Sequence, residues 1–547
     1  MRTIVDALLR HAAVSPTRVA LRTMSGAAAT WDELAQQSTQ VARALVASGV
    51  RPGDRVAVLA GNSLIWPLAD LGTSLAGAIS VGLYPTSSPE QVADVLADCA
   101  ARVLVVDTGA QLNKVRQVRD RLTALERVVA RDPVGGEAEA WSDWLSSDAT
   151  ARAVLPPLPV PEDDAALIYT SGSTGVPKGA RISHACLAAT AQSIAEVLEL
   201  TRDDTSLSFL PFCHSAERMF GHATRVWIGM EALIVDDVAH VFKAAAAYQP
   251  TIFGGLPRFY EKAYEAMQAA EAGASRDEAA ARAAAVRIAH FGARVRRATS
   301  GGAALSVAVA EYLAVHGLEV LGAYGQTEHL CVTMHHPSHR NFTTAGSPMP
   351  GTELRIAEDG EVLVRRSPLT FSGYWGRDDD TRDAFTDDGQ WLKTGDLGSV
   401  AADGFLSITG RKKELIALSS GKKVAPLPLE AALANGPWIE HAVLYGEGRS
   451  YITALFTVRR QTLREWAVRA GLSGEPEALL AHPAVRAAVQ DQVDAVNATV
   501  SRPEQVKCWV IARGTFSVDG GELTPTMKLK RREVTARYAP LLAPLYD

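Results

Sequence analysis

Short apolar runs alternate with amphipathic stretches near the N-terminus, and this alternation limits the folds that the chain can adopt. Val56–Leu59 and Val103–Asp107 have the apolar pattern of buried strands. Trp31–Ser48 carries its apolar residues at helical spacing. Strands separated by helices form βαβ units around a mostly parallel sheet. The pattern therefore predicts an α/β fold.

Length and charge restrict the organisation and the partners of the chain. Its 547 residues exceed one ordinary core, so we expect two or more domains. The formal net charge of −6 argues against a nucleic-acid partner, because a phosphate backbone binds a basic face. The five cysteines are scattered without a CxxC pair, which favours a reducing, cytoplasmic location over disulfides or zinc.

Neither apolar segment of the N-terminal region has the features of a membrane or export signal. Met1–Arg10 lacks the long apolar stretch of a signal peptide. Leu68–Leu83 is the most apolar stretch, but Asp70 and several glycines interrupt it. We interpret it as protein core rather than a membrane span.

The segment Tyr169–Gly179 combines glycines, hydroxyl groups and one lysine at the end of an apolar strand pattern. Glycines let the backbone approach an anion, and successive N–H groups form a concave nest. The segment does not match a Walker A motif, because Pro177 precedes the lysine and Gly179 follows it. It therefore predicts a phosphate-binding loop of another class. The candidate contacts are Thr170, Ser171, Gly172, Ser173, Thr174, Gly175 and Lys178.

This loop resembles the signature of the adenylate-forming superfamily, which includes acyl-CoA synthetases, luciferases and peptide-synthetase adenylation domains. The resemblance extends over nearly the whole chain, in the family's order. The other matching segments are Ser300–Ala304, Ala323–Glu328, Trp391–Leu397, Thr409–Ile416 and Leu523–Arg532. It implies a large N-terminal domain of βαβ-type sheets with a small barrel-like subdomain, residues 1–410. A smaller, mobile α+β domain, residues 411–547, would follow.

The resemblance also implies which residues bind the nucleotide. Tyr324 would offer its ring face to adenine, and Asp396 would accept hydrogen bonds from both ribose hydroxyls. Arg411 would contact ribose or phosphate. The small residues Gly302, Ala303 and Gly325 would let the nucleotide lie against the backbone.

A second group of matching residues would carry the reaction with ATP. Glu328 would hold magnesium, a hard cation that prefers carboxylate and phosphate oxygens. Thr327 would donate to the α-phosphate. Lys528 matches the catalytic lysine, which would stabilise the charge that builds on the α-phosphate. Lys413 matches the hinge of the C-terminal domain.

The acid pocket is the least determined part of the site. Leu210–Arg218 resembles the long-chain acyl-CoA synthetase form of its segment and carries His214 at the position of a gate. His329 follows Glu328, where the resembled enzymes carry small hydroxyl residues, so a polar, aromatic or very small acid is also open. We expect His335 and His336 on the surface. The expected pocket residues are His214, Gly301, Gly302, Ala323 and His329.

These residues predict ATP-dependent, AMP-forming activation of an acid, followed by transfer to coenzyme A. An alternative keeps the adenylation but uses an aryl acid, an amine, a carrier protein, or nitrite activated for an aryl amine. A non-catalytic nucleotide-binding protein is less favoured, because Lys528, Glu328 and Asp396 are all present. A hydrolase is disfavoured by the lack of GxSxG and HExxH motifs.

Overall fold

The alternating pattern at the N-terminus forms a mostly parallel sheet of eight strands, as predicted. The computed structural model describes residues 2–131, 136, 138–171, 177–472, 475–517, 520–523 and 529–546, without the side chains of Ser171 and Pro476. In sheet order, the strands are Gly373–Tyr374, Pro177–Ser183, Asp164–Ser171, Ile79–Leu83, Arg55–Leu59, Val103–Val106, Arg127–Ala130 and Glu139–Ala140. The first three are antiparallel neighbours, and the other pairings are parallel.

A second sheet of nine strands carries the later motifs. Its central strands are parallel, and antiparallel strands lie at both edges. In sheet order, the strands are Ser347–Pro348, His329–Met334, Val320–Gln326, Arg297–Ser300, Ile252–Gly255, Thr205–Ser208, Glu231–Ile234, Val19–Thr23 and Ala28–Thr30.

Helices pack against these two sheets, and one buried cluster of apolar side chains draws residues from both. The helix Trp31–Ala47 begins at Thr30, whose side chain forms a capping box with Glu33. The α-helices of this part are Ile4–Val14, Trp31–Ala47, Ile65–Leu75, Pro89–Cys99, Gly109–Gln117, Trp141–Ser146, Asp148–Arg152, His184–Val197, Thr224–Ile228, Val241–Tyr248, Pro257–Glu271, Arg276–Phe291, Val307–Val315 and Asp378–Ala384. Arg119–Arg121 and Val238–His240 are 3-10 helices, and Ala216–Ala223 is a π-helix.

The most apolar stretch forms core, as expected. It contributes the buried helix Ile65–Leu75 and the buried strand Ile79–Leu83. A Cβ atom at Gly72 would lie 2.5 Å from Val41 of the neighbouring helix, so glycine allows the two helices to approach closely. Among the described residues, no helix is long and apolar enough to cross a membrane.

The chain divides into two compact units. The first contains Met1–Arg355, Leu363–Thr394 and Ala402–Leu406, and the second contains Ile356–Val362, Gly395–Ala401 and Ser407–Asp547. A four-stranded sheet consists of the strands Leu354–Ile356, Glu361–Arg365, Trp391–Val400 and Leu406–Arg411.

The second unit has its own apolar core and mixes helices with small sheets. Its three-stranded sheet consists of Ile439–Tyr445, Ile452–Val458 and Val506–Ile511, and its two-stranded sheet of Ile416–Ala417 and Lys423–Val424. Its helices are Pro426–Ala434, Arg460–Arg469, Pro476–Leu479, Pro483–Asn497, Arg531–Arg537 and Ala539–Leu542, with 3-10 helices at Lys412–Glu414 and Ala543–Tyr546. These arrangements confirm the α/β fold class.

Candidate functional site

The segment Ala323–Glu328 forms one arm and the tip of a β-hairpin. The strand Val320–Gln326 turns at Thr327 and Glu328 into the antiparallel strand His329–Met334. A Cβ atom at Gly325 would lie 1.7 Å from the Leu330 carbonyl oxygen, so the close approach of the two strands requires glycine. The hairpin therefore places Thr327 and Glu328 together at its tip.

The predicted pocket glycines lie beside this hairpin. Ser300 pairs with Gly322 on the neighbouring parallel strand. A Cβ atom at Gly301 would lie 3.5 Å from the Ala323 carbonyl oxygen. Gly302 has a φ of +81°, a left-handed conformation that favours glycine. The structure thus places Gly301, just after the strand Arg297–Ser300, against Ala323 of the neighbouring strand, and Gly302 follows it in sequence.

His214 lies near the hairpin, because the next residue in the sequence, Ser215, contacts Thr327 at the hairpin tip. The Thr327 hydroxyl is 3.4 Å from the Ser215 hydroxyl and donates to it. The Ala216 amide donates to His214 Nδ1 over 3.1 Å, so a neutral His214 ring carries its proton on Nε2. The His214 ring meets the edge of Tyr84 at a centroid distance of 6.4 Å.

Two buried ion pairs hold the segment that follows His214. Arg218 pairs with Asp70 of the buried helix Ile65–Leu75, and Arg225 pairs with Glu217. All four side chains are buried. Such pairs fix a geometry more than they stabilise a fold, because desolvation offsets much of their attraction. Here they fix the π-helix Ala216–Ala223 that begins just after His214.

The two strands on either side of the predicted phosphate loop, Asp164–Ser171 and Pro177–Ser183, pair as the arms of an antiparallel hairpin. Thr170 pairs with Lys178, and Tyr169 pairs with Gly179. The Tyr169 hydroxyl donates to Asp98 over 2.6 Å, and burial raises the pKa of Tyr169. The predicted contacts Gly172, Ser173, Thr174 and Gly175 lie outside the described residues.

Lys178 and Glu328 meet at one aromatic ring. The Tyr374 hydroxyl donates to Glu328 Oε1 over 2.5 Å. The Lys178 ammonium lies 5.5 Å from the centroid of the same ring and forms an ion pair with Asp380. The Glu328 carboxylate and the Lys178 ammonium therefore contact the same tyrosine, and groups of these two charges suit a magnesium–nucleotide ligand.

The acidic side chains of the site fit magnesium that arrives with ATP. The described part of the chain contains no group of three histidine, cysteine or acidic side chains that could enclose a metal ion. Magnesium bound to nucleotide needs only one or two carboxylates, since phosphates and water supply its other ligands. The single carboxylate of Glu328 is enough to meet that requirement.

His329 is buried at the start of its strand and is 1% exposed. Its two ring nitrogens lie 3.2 Å from the Thr370 hydroxyl and 3.0 Å from the Thr352 hydroxyl. Burial lowers the pKa of His329 to about 4. The ring is therefore neutral near pH 7, and both of its nitrogens are hydrogen-bonded to the protein.

The surface position expected for His335 is wrong. This side chain is 3% exposed, and its Nδ1 accepts a hydrogen bond from the Gly322 amide over 3.1 Å. The strand His329–Met334 leads directly into it, and strand pairing buries the ring beside Phe405. His336 is partly exposed.

In the second unit, two of the predicted ribose residues contact each other. Arg411 Nε lies 2.9 Å from Asp396 Oδ1. Asp396 is buried, whereas the Arg411 side chain is about half exposed. Lys413 is exposed in the 3-10 helix Lys412–Glu414. Lys528 lies outside the described residues.

Sequence reasoning missed Tyr374, Asp380 and Ser215. Tyr374 lies within the segment Gly373–Gly376 and Asp380 follows it, and no local pattern there indicates a contact with Lys178. Tyr374 reaches Lys178 because the strand Gly373–Tyr374 pairs with the strand that carries Lys178. Only the long-range pairing reveals these contacts.

Comparisons with known proteins agree with the geometry. The family described as "AMP-binding enzyme" matches residues 8–375, and its C-terminal domain family matches residues 413–547. The long-chain-fatty-acid–CoA ligase FadD15 of Mycobacterium bovis is 35% identical, over 94% of this chain and 92% of its own length. The long-chain-fatty-acid–CoA ligase ACSBG1 of Mus musculus is 29% identical, over 93% and 80%.

Solved structures share the fold. An anthranilate CoA ligase, AuaEII, in complex with anthranoyl-AMP, superposes with a TM-score of 0.81 at 23% identity over 99% of this chain and 98% of its own. A fatty acyl CoA synthetase of Mycobacterium tuberculosis superposes with a TM-score of 0.70 at 21% identity over 99% of both chains. With the family match over most of the chain, the predicted resemblance is confirmed: the chain belongs to the AMP-binding enzyme family.

Proposed function

We propose that this protein is an AMP-forming acid–thiol ligase that converts a long-chain fatty acid into its coenzyme A thioester. The contact of Glu328 with the Tyr374 hydroxyl and of Lys178 with the Tyr374 ring carries the proposal, because the two side chains offer charges for both parts of magnesium–ATP. The identity of 35% to a long-chain-fatty-acid–CoA ligase supports the choice of acid.

The reaction has two steps. A carboxylate oxygen attacks the α-phosphorus of ATP, the bond from that phosphorus to the β-phosphate bridging oxygen breaks, and pyrophosphate leaves. The thiol of coenzyme A then loses its proton and attacks the acyl carbon, which releases AMP. Thr327 would donate to the α-phosphate, and Lys178 would bind the phosphate chain.

Lys528 would stabilise the first transition state, in which negative charge builds on the α-phosphate. Replacing it by alanine should abolish acid-dependent pyrophosphate exchange but spare thioester formation from supplied acyl-AMP. Lys530→Ala changes an exposed lysine two positions later in the sequence and should leave pyrophosphate exchange unchanged. Normal exchange in Lys528→Ala would remove this assignment.

The nucleotide and domain assignments complete the proposal. Tyr324, Gly302, Ala303 and Gly325 would line adenine, and Asp396 and Arg411 would bind ribose. We also propose a domain boundary at residue 410 with Lys413 as the hinge. The free cysteines suit a reducing, cytoplasmic location, since such thiols stay reduced there.

His214, Gly301, Gly302, Ala323 and His329 remain the proposed acid pocket. The position of His329 after Glu328 raises the alternative of a polar, aromatic or very small acid. In the structure its nitrogens contact Thr352 and Thr370, so the ring has little hydrogen-bonding capacity to offer a polar acid. This observation favours the fatty acid over a polar acid.

A substrate screen tests the proposal. The protein is incubated with magnesium–ATP and fatty, aryl and inorganic acids, with and without coenzyme A, and AMP and pyrophosphate are measured. Among the acids, we expect only long-chain fatty acids to support pyrophosphate exchange in the absence of coenzyme A. The same acids should give net AMP release when coenzyme A is added. AMP release only with aryl acids or with nitrite and an aryl amine would replace the fatty acid by the alternative.

A further inference from the structure

Both the backbone and the ring of Tyr374 contact neighbouring parts of the protein. Its amide donates to the Thr381 hydroxyl over 2.8 Å, and its backbone pairs with Ala180. Its ring meets the edge of the buried Phe371 ring at a centroid distance of 4.9 Å. These contacts join the Tyr374 backbone to a helix and a strand and pack its ring against Phe371.

The fixed ring contacts two charges that the reaction needs. Its hydroxyl donates to one carboxylate oxygen of Glu328, which leaves the second oxygen to face a cation. Burial and the Glu328 charge raise the pKa of Tyr374, so the hydroxyl stays protonated and continues to donate. The ring face attracts the Lys178 ammonium at 5.5 Å.

We infer that Tyr374 is a positioning residue for magnesium–ATP, whose hydroxyl orients Glu328 toward the cation and whose ring face holds Lys178 for the phosphates. This inference rests on the proposed function and assigns a role to a residue outside the predicted site. It separates two contributions: the hydroxyl acts on magnesium, and the ring acts on the phosphate chain.

Two variants separate these contributions. Tyr374→Phe removes the hydroxyl and keeps the ring, whereas Tyr374→Leu removes both. Tyr312→Phe is a matched control, because the Tyr312 hydroxyl also donates to a carboxylate, Glu271 at 2.7 Å, on a helix away from Lys178 and Glu328. Each full-length protein is titrated calorimetrically with ATP, once with magnesium and once with EDTA.

For Tyr374→Phe we expect the Kd of magnesium–ATP to rise about tenfold, since hydrogen bonds to charged groups contribute strongly. The Kd in EDTA should change by less than about twofold, because the phenylalanine ring still faces the Lys178 ammonium. Tyr374→Leu should weaken ATP binding under both conditions. Tyr312→Phe should match the wild-type protein in both titrations.

The inference is overturned if Tyr374→Phe leaves the ratio of the two Kd values unchanged, whatever its melting temperature. A purely structural role would lower the melting temperature and alter both Kd values together. These titrations need no acid, so their outcome is independent of the fatty-acid assignment. A wild-type protein that binds ATP but lacks acid-dependent pyrophosphate exchange would contradict the proposed function and leave the inference standing. A wild-type protein that does not bind ATP would overturn both.

Discussion

Lys178 and Asp380 form an ion pair although 202 positions separate them in the sequence. The pair joins the strand after the phosphate loop to the helix Asp378–Ala384. In the proposed reaction, Lys178 binds the phosphates of ATP. The carboxylate of Asp380 and the phosphates of ATP therefore compete for one ammonium group.

Replacing Asp380 by asparagine should tighten ATP binding. The side chains of the pair are 20% and 33% exposed, so the pair is worth about 0.5–1 kcal/mol. That corresponds to a fall in the KM for ATP of about two- to fivefold with kcat unchanged, because only ground-state competition is removed. Steady-state kinetics at low ionic strength measure it.

Asp379→Asn provides the control for this prediction. Asp379 is the neighbouring residue on the same helix, is 91% exposed and pairs with Arg382 at 2.6 Å. The Asp379→Asn substitution changes the net charge by the same amount and leaves the ion pair of Lys178 intact. A rise in the KM for ATP in Asp380→Asn would show that Asp380 orients Lys178 rather than competing with ATP.

Three buried histidines should make stability depend on pH. Burial lowers the pKa of His184, His222 and His329 to about 4 each, against an ordinary value of 6.5. Between pH 6.5 and about 4, the unfolded chain binds protons that the folded protein does not. Stability is therefore complete above pH 6.5 and declines as the pH falls through this window.

The urea midpoint of unfolding, measured from about pH 7.5 down to about pH 5, should fall progressively. His329→Gln should reduce that decline, because one of the three groups no longer titrates. The exposed His240 serves as the control site, and His240→Gln should retain the wild-type decline. A midpoint independent of pH across this range would contradict the prediction.

Breaking the buried pair Asp70–Arg218 should destabilise the first unit. Arg218→Gln leaves the Asp70 carboxylate buried without its charged partner, which costs about 3–5 kcal/mol. Adding Asp70→Asn removes the unpaired charge and should recover part of the loss. Thermal unfolding of the single and double variants measures both effects. Equal melting temperatures for Arg218→Gln and the wild-type protein would show that water already reaches Asp70.

Local patterns predict several secondary-structure elements but only part of the candidate site. The apolar spacing of Trp31–Ser48 predicts a helix, and the helix is Trp31–Ala47, because such spacing is a local signal. The burial of His335 and the roles of Tyr374 and Asp380 depend on strands that pair far apart in sequence. No local pattern carries that information. The acid remains a proposal for a related reason, since the residues proposed for its pocket come from several distant segments.

The central claim is that the acid attacks the α-phosphorus of ATP. Its most direct test uses a long-chain fatty acid labelled with ¹⁸O in the carboxylate, together with magnesium–ATP, coenzyme A and the wild-type protein. The attacking oxygen stays on phosphorus when the thiol displaces AMP, so mass spectrometry should find one ¹⁸O atom in each AMP. Label in inorganic phosphate, with ADP as the nucleotide product, would show attack at the γ-phosphorus and contradict the account.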